Sequence, residues 1–392
     1  MQKKIIALAI AAAFSAPAFA DTSNVTVYGV LNADVEQVKN SIPSVAAGNS
    51  TATSLNRVNS NASRFGIKGS EDLGDGLKAI FQIESRVNLV GNELTSGTNA
   101  GTAGVFNGIR NSNVGLKGNF GTVFVGVWDT PFKTAHNAVE MFDNTTIATA
   151  TALMGVTTAT AAASGTAYSA VAYTLRQNSS VQYWTPVMSG FQGKLAYSTA
   201  NGDTYALGAA SGVALQTAAN KPSLTSLSVA YDVDQFYAAY AYDQHSNFRT
   251  QLVSGAGLKD TGHRLVGAYK FAPGAQVGLA YDRLTVASTT AGIAASTRAA
   301  WELSGKYAFG ANNVGAFYTK AGSMGNTNAT GAKQVSLRYG YNFSKRTEAY
   351  ALYTSIKNDT NAAYGIADVA NGVVPLAGSK ISGFGLGVAH SF

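Results

Sequence analysis

The sequence predicts an all-β fold, a 16-stranded antiparallel transmembrane β-barrel, from three observations. Several stretches alternate apolar and polar residues with a period of two, which is typical of strands that bury one face. Short turns and long connections follow one another in a regular order. The composition is poor in charge, at 12%, and rich in aromatic residues, with 19 Tyr and 18 Phe. That balance suits a barrel whose outer surface meets lipid.

The first hairpin, residues 64–85, shows the alternation most clearly. On the outgoing strand Phe65 and Ile67 alternate with Arg64 and Lys68. The returning strand has apolar residues at 77, 79, 81 and 83, and the run DLGDG at 72–76 supplies residues that tolerate a tight turn. In a soluble sandwich the polar face would meet water. In a membrane barrel the apolar face meets lipid and the charges line a wet interior.

Seven short turns set the number of strands. They lie at 72–76, 118–121, 189–193, 232–234, 272–274, 310–313 and 343–346. Longer connections rich in Ala, Thr, Ser, Gly and Asn lie between them, for example at 41–59, 199–223, 247–261, 321–332 and 358–379. Seven hairpins with one further strand at each end give sixteen strands. Short turns on one side and long loops on the other are the layout of an outer-membrane barrel.

The start of the chain indicates export. Lys3 and Lys4 precede an apolar stretch at 5–13 that is too short to span a bilayer, and Ala-Phe-Ala at 18–20 is a small-residue cleavage site. We expect a signal peptide over 1–20, cleaved between Ala20 and Asp21, and one barrel domain over 21–392. Removing the two lysines changes the formal charge from +7 to +5 (7 − 2).

Composition and motifs argue against several other classes of protein. The chain has no cysteine, and its four histidines stand in no metal-ligand or catalytic pattern. No nucleophile elbow or phosphate loop is present, so we expect no enzyme, no cofactor and no metal. The absence of a Lys/Arg run argues against a nucleic-acid partner. A barrel lipase or protease with a site spread across strands, for example at His263 and Asp260, stays open as an alternative.

Five segments carry a resemblance to a known family. They are SRFGIKGSEDLGDGLKAIFQIES at 63–85, RNSNVGLKGNFGTVFVG at 110–126, RQNSSVQYWTP at 176–186, YNFSKRTEAYALYT at 341–354 and the ending GLGVAHSF. These segments resemble the trimeric general porins of Gram-negative bacteria, of the neisserial and related betaproteobacterial type, and they span the mature chain. Two residues depart from the family pattern. Trp128 stands where such porins often carry an arginine, and Asn113 where they usually show an aromatic residue.

The resemblance implies a water-filled channel for small hydrophilic solutes and ions, narrowed by an in-folded third loop. The matching segment is the long connection at about 129–178, whose first part holds Asp129, Lys133, Glu140 and Asp143. No charged residue follows between 144 and 175. Such an Ala/Thr-rich segment could fold against the wall, cover a neighbouring subunit or form an exposed, disordered loop.

The resemblance also implies a wall of basic residues opposite that loop. The candidates are Arg64, Lys68, Lys78, Arg86, Arg110, Lys306 and Arg338. Arg110 is ambiguous, because alternation from Val114 and Leu116 turns it outward, whereas the family's matching arginine faces the pore. A lipid-facing arginine near the bilayer midplane costs about 2–4 kcal/mol, so we expect Arg110 to face inward.

The partners implied by the resemblance are two further copies of the chain in a homotrimer, outer-membrane lipid and lipopolysaccharide, and the barrel-insertion machinery at the terminal Phe392. The positive charge and the basic wall predict a preference for anions. Two alternatives stay open, a substrate-specific channel with aromatic residues that track a sugar, and a plugged or adhesive structural barrel.

Overall fold

The computed structural model describes residues 24–41, 45–46, 49–50, 54–90, 105–142, 147–157, 171–199, 221–248, 257–288, 294–325, 327–366 and 375–392. Within these residues, no helix has the length and apolar character needed to cross a membrane.

Sixteen antiparallel strands form one sheet, and two of them are each built from two segments. The strands are β1 (Asn24–Asn40), β2 (Ser54–Ser60 and Arg64–Gly74), β3 (Leu77–Val87), β4 (Phe106–Ile109 and Ser112–Gly118), β5 (Gly121–Asp129), β6 (Arg176–Trp184), β7 (Phe191–Ser198), β8 (Ser223–Val233), β9 (Phe236–Ser246), β10 (Lys259–Ala272), β11 (Ala275–Val286), β12 (Ser296–Phe309), β13 (Asn312–Ala321), β14 (Ala332–Asn342), β15 (Thr347–Asn358) and β16 (Lys380–Ser391). A two-residue hairpin, Val45–Ala46 with Asn49–Ser50, lies in the first long loop.

The sheet closes on itself. Each strand pairs with its sequence neighbours, and β1 pairs with both β2 and β16, with Val30 opposite Ser391 and Asn40 opposite Ile381. All seven predicted short turns join consecutive strands at one end of the barrel. Closure leaves no unpaired strand edge, which a lipid environment requires. The predicted 16-stranded barrel is therefore confirmed.

Two strands depart from the predicted pattern through local irregularities. The first long loop ends earlier than expected, because Ser54–Ser60 pair with β1. A bulge follows, with Ala62 at φ 52°, and the polar Asn59 and Ser60 are both buried although they are adjacent, which hides the alternation. β4 is interrupted at 110–111, so the alternation of its second segment does not extend back to Arg110.

The outer surface of the barrel is apolar. Exposed aliphatic residues form a belt around it, among them Ile83, Val125, Leu195, Leu279, Leu337 and Leu386. Exposed aromatic residues gather beside the short turns, including Phe191, Phe236, Phe271, Phe309 and Phe343. At the chain end, Gly29 and Phe392 exchange two backbone hydrogen bonds of 3.1 Å, which tie the terminus to β1. This outer surface suits a lipid environment with interfacial aromatic girdles.

The connection between β5 and β6 folds into the barrel rather than away from it. It begins with helix α1 (Pro131–His136), capped by the Thr130 side chain, and contains a short 3₁₀ turn at Ala150–Ala152. The largest apolar cluster of the described residues lies between this third loop and the barrel wall, with Phe132, Val139, Phe142, Ile147 and Leu153 fully buried. The predicted in-folded loop is thus confirmed.

Candidate functional site

The third loop is held against the wall formed by β8 to β14, because inward side chains donate hydrogen bonds to its backbone carbonyls. The donors and acceptors are Arg264 to Phe132, Tyr237 to Ala135, Gln276 to Ala138, Gln334 to Thr149 and Arg298 to Leu153, at 2.6–3.1 Å. Irregular backbone at membrane depth needs such partners in place of water. Five strands therefore fix the course of the loop across the lumen.

The strongest anchor is a fully buried ion pair. Arg264 of β10 binds Asp282 of β11 through two parallel contacts of 2.7 Å, and its third nitrogen donates to the Phe132 carbonyl at 3.1 Å. The Gly155 amide donates to the same carboxylate at 2.7 Å. A bidentate pair with its remaining groups hydrogen-bonded compensates the cost of burying two charges. It fixes the loop at two points far apart in sequence.

A second anchor joins the loop to β12. His136 Nε2 lies 2.7 Å from Glu302 Oε2, and the Glu140 carboxylate lies 3.8 Å from the other ring nitrogen. Burial and the nearby Arg264 guanidinium work to lower the pKa of His136, but the Glu302 and Glu140 carboxylates outweigh them and raise it above its ordinary value. The protonated imidazole is the form that holds the loop most strongly.

On the other side of the lumen, the Glu84 carboxylate of β3 lies close to two arginines. Arg110 Nε lies 2.6 Å from Glu84 Oε1, and Arg64 Nε lies 3.9 Å from Oε2. The Tyr28 hydroxyl donates to the same carboxylate at 2.9 Å, and Arg86 is the register partner of Arg64. The wall at β2 to β4 therefore carries more positive than negative charge, but one carboxylate lies among its arginines.

The start of the third loop adds a second carboxylate. Asp129 Oδ1 lies 2.7 Å from Lys133 Nζ and 3.2 Å from Arg176 Nη2, and Asn111 donates to its other oxygen at 3.1 Å. Burial lowers the pKa of Lys133, and the Asp129 carboxylate opposes that effect. We call Arg64, Glu84, Arg110, Asp129, Lys133 and Arg176 the charged cluster; it holds four basic and two acidic side chains.

The structure separates the predicted basic residues into two groups. Arg64, Arg86 and Arg110 come together on β2 to β4. Lys68 lies nearby on the same wall, with its ammonium over the Tyr28 ring at 5.2 Å.

Three other predicted basic residues lie near the short turns, away from the charged cluster. Lys78 contacts Asp72 at 3.9 Å, Lys306 is four residues from the turn at 310, and Arg338 binds Glu348 at 2.6 Å. Strand register therefore puts these side chains at the short-turn end of the barrel.

The charged residues predicted for the third loop also lie in different places. Asp129 and Lys133 lie beside the arginines, where the loop leaves β5, rather than across the lumen from them. Glu140 is turned into the loop itself, accepting from the Phe142 amide at 3.1 Å and the Thr149 hydroxyl at 3.3 Å. Asp143, Ala20 and Asp21 lie outside the described residues. An acidic loop opposed to a basic wall therefore stays a prediction.

Sequence reasoning did not select several residues of the site. Alternation places Glu84 on the same inward face as Lys78 and Arg86, so the sequence did indicate that this side chain lines the lumen. Arg176 begins one of the porin-like segments. Arg57, which binds the buried Glu36 at 2.6 Å, lies in a stretch expected to be loop. Within the described part of the chain, no three His, Asp or Glu side chains lie close enough together to hold a metal ion.

Trp128 packs among aromatic rings on the inner wall. Its ring centroid lies 5.2 Å from that of Phe124 and 6.1 Å from that of Trp184. The residue thus places an apolar ring next to Asp129.

A closed barrel with an apolar outer surface, a charged lumen and a loop folded inside defines a transmembrane barrel of the outer membrane. The Gram-negative porin family model matches residues 7–361, and the chain belongs to this family. It is 28% identical over 404 residues to the outer membrane porin protein 32 of Delftia acidovorans, with both chains fully covered. It is 29% identical to the major outer membrane protein P.IB of Neisseria lactamica, over 69% of this chain and 67% of that protein.

Solved structures share the fold. The anion-selective porin from Comamonas acidovorans superposes with a TM-score of 0.69 at 24% identity, covering 95% of this chain and all of that one. The trimer form of OmpT from Vibrio cholerae gives a TM-score of 0.60 at 16% identity, covering 95% of this chain and 100% of the other. At these identities the likeness concerns the fold.

Proposed function

We propose that the protein is a passive diffusion channel of the outer membrane for small hydrophilic solutes and ions, with a preference for anions. The observation that carries the proposal is the charged cluster, in which four basic side chains outnumber two carboxylates on the inner wall. The third loop is anchored on the strands opposite this cluster. Glu84 lies on β3 and Asp282, which binds the loop, lies on β11, and these strands are eight positions apart in a ring of sixteen.

The physical reason for anion preference is an excess of fixed positive charge beside the ion path. Fixed basic groups raise the local concentration of anions and the barrier for cations, and added salt screens both effects. Arg86 adds to the excess on the same wall. The dense hydration of charged walls disfavours apolar solutes, which cannot replace that water cheaply.

Two proteins of similar fold support the proposal. One structural neighbour is described as an anion-selective porin, and another as a trimer. We extend both properties to this chain as part of the proposal, with three copies embedded in outer-membrane lipid and lipopolysaccharide. We also infer cleavage after Ala20 and engagement of the insertion machinery by Phe392; mass spectrometry of the purified protein with an N-terminus at Asp21 supports the first.

The direct test is reconstitution. Purified protein in a planar bilayer should produce stable conductance steps that appear in threes, and liposomes containing it should swell in small sugars at rates that fall with sugar size. Swelling that saturates, or that distinguishes stereoisomers, favours a substrate-specific channel. Folded barrels that conduct no ions contradict the proposal and indicate a plugged or adhesive barrel.

A further inference from the structure

An aromatic recess lies on the inner wall at β1 to β7, and the charged cluster does not account for it. Phe124, Trp128 and Trp184 form its aromatic side, with the Phe124 centroid 5.2 Å from each tryptophan ring. The recess has a volume of ≈ 700 Å³, within the range of small-molecule sites. Val125, Val181 and Tyr183 on the same strands are exposed on the opposite, lipid-facing side. The three rings therefore face the lumen.

Three lysines lie in or beside the recess. Lys68 and Lys117 line the recess, and Lys194 of β7 places its ammonium 4.5 Å from the centre of the Trp184 ring. Among the described residues, no carboxylate lies within ion-pairing distance of these three lysines, and the recess lining contains no Asp or Glu. The recess thus combines apolar ring faces with positive charge that is not neutralised locally.

The recess adjoins the charged cluster. Trp128 directly precedes Asp129, and Trp184 is the register partner of both Thr122 and Lys194, nearer the short turns. An anion drawn in by the charged cluster would meet the tryptophan faces next. Gln82, Asn113 and Gln192 on the rim offer amide groups for polar substituents.

We propose that this recess binds small aromatic carboxylates, of which benzoate is the simplest, during passage through the pore. The ring packs on Trp128 and Trp184, and the carboxylate is held by Lys194 with Lys68 or Lys117. Charge complementarity favours this class over neutral sugars, which would stack on the rings but leave three ammonium groups without a counter-charge. The inference rests on the proposed function, because the ligand reaches the recess through an open lumen.

Tryptophan fluorescence tests binding directly, because the chain has three tryptophans and two line the recess. The third, Trp301, is on the lipid-facing side, 37% exposed. In a Trp301→Phe variant, the emission therefore reports the recess. Titration of the detergent-solubilised trimer with benzoate should change this emission saturably, whereas acetate and glucose at the same concentrations should not.

Substitutions locate the site. On the Trp301→Phe background, Trp184→Leu or Lys194→Met should weaken benzoate binding by roughly three- to tenfold. Lys270→Met is the matched control; Lys270 lies near a different short turn, pairs with Asp232 at 3.7 Å and should leave binding unchanged. Potassium chloride conductance of each variant in a bilayer shows that the barrel is folded and open.

The two proposals fail separately. Equal responses to benzoate and acetate, saturable binding of glucose in place of benzoate, or equal weakening by Lys270→Met and Lys194→Met would each overturn the inference while conductance persists. Absence of conductance from folded native trimers would overturn the channel itself, whatever the fluorescence shows.

Discussion

Arg110 Nε lies 2.6 Å from Glu84 Oε1 inside the barrel, although simple alternation from Val114 and Leu116 turns Arg110 toward lipid. β4 is interrupted at 110–111, so the alternation of residues 112–118 does not continue to Arg110, and this side chain can face the lumen. The Arg110 amide also donates to the Glu84 carbonyl at 2.8 Å. Glu84 therefore both orients an arginine of the charged cluster and cancels part of its charge.

Glu84→Gln should strengthen anion preference. The amide keeps the size of the side chain and one oxygen that can accept from Arg110, but it removes one negative charge beside Arg64 and Arg110. A charge about 5–10 Å from an ion path in water contributes about 0.4–0.8 kcal/mol to the energy of each ion, with opposite sign for chloride and potassium, so the chloride-to-potassium permeability ratio should rise about four- to fifteenfold at low salt. Reversal potentials in a salt gradient measure the ratio.

Glu348→Gln is the control for that substitution. Glu348 also pairs with an arginine, Arg338 at 2.6 Å, but lies near a short turn. A ratio that rises equally in both variants would show that total charge, rather than position in the charged cluster, determines selectivity.

Arg264→Ala should release part of the third loop and destabilise the protein. It leaves Asp282 buried without its cation, which typically costs roughly 3–5 kcal/mol. Heat-induced loss of the folded form on gels should occur at lower temperature, and single-channel conductance should become noisier. The double variant Arg264→Ala/Asp282→Ala should recover part of the lost stability. Equal stability of the single and double variants would contradict a coupled pair.

Loop anchorage by His136 should depend on pH. Because Glu302 and Glu140 raise the pKa of His136 in the folded state, the stabilisation is complete below the ordinary histidine pKa of about 6.5 and is lost as pH rises through the raised value. The melting temperature in detergent should fall over that upper range. His136→Gln should remove this component of the pH dependence.

His263→Gln is the control for the pH experiment. His263 is exposed on β10, where it contacts the Tyr240 hydroxyl at 2.8 Å. A pH dependence that disappears with His263→Gln and persists with His136→Gln would show that the loop anchor is not responsible.

Gly278→Val should displace the third loop from β11. A β-carbon at this position would lie 2.5 Å from Val139 Cγ1 and 2.9 Å from Val139 Cβ, so the loop must shift. Overpacking of this kind costs about 1–3 kcal/mol, and single-channel conductance should change. Gly267→Val is the control, since the nearest atom to a β-carbon there is 3.9 Å away. Unchanged conductance in both variants would mean that the loop does not limit the pore.

Much of the fold followed from local sequence. Alternation around Arg64 and Arg86 and the Gly- and Asp-rich turns specify strands, faces and strand number, because a period of two is a direct consequence of strand geometry. Irregular positions were not predictable in this way. The bulge at Ala62 and the interruption beside Arg110 break the period. Ser54–Ser60 therefore needed pairing information, and the inward facing of Arg110 was predicted from the resemblance and from the cost of a lipid-facing arginine rather than from alternation.

The anchoring contacts were beyond sequence reasoning for a different reason. His136 and Glu302 are 166 residues apart, and Arg264 and Phe132 are 132 apart. Alternation places Arg264 inward but gives neither its height in the barrel nor its partner. Lys306, Arg338 and Arg64 all face the lumen, but Lys306 and Arg338 lie nearer the short-turn end of the barrel than Arg64 does.

The zero-current potential across a bilayer with a potassium chloride gradient measures whether the charged cluster makes the pore prefer anions. The native protein should prefer chloride, and Arg64→Ala and Arg86→Ala should each shift the potential toward cation preference, whereas Lys78→Ala, near a short turn, should change it little. Cation preference in the native protein, or equal shifts from all three substitutions, would contradict the role proposed for the charged cluster.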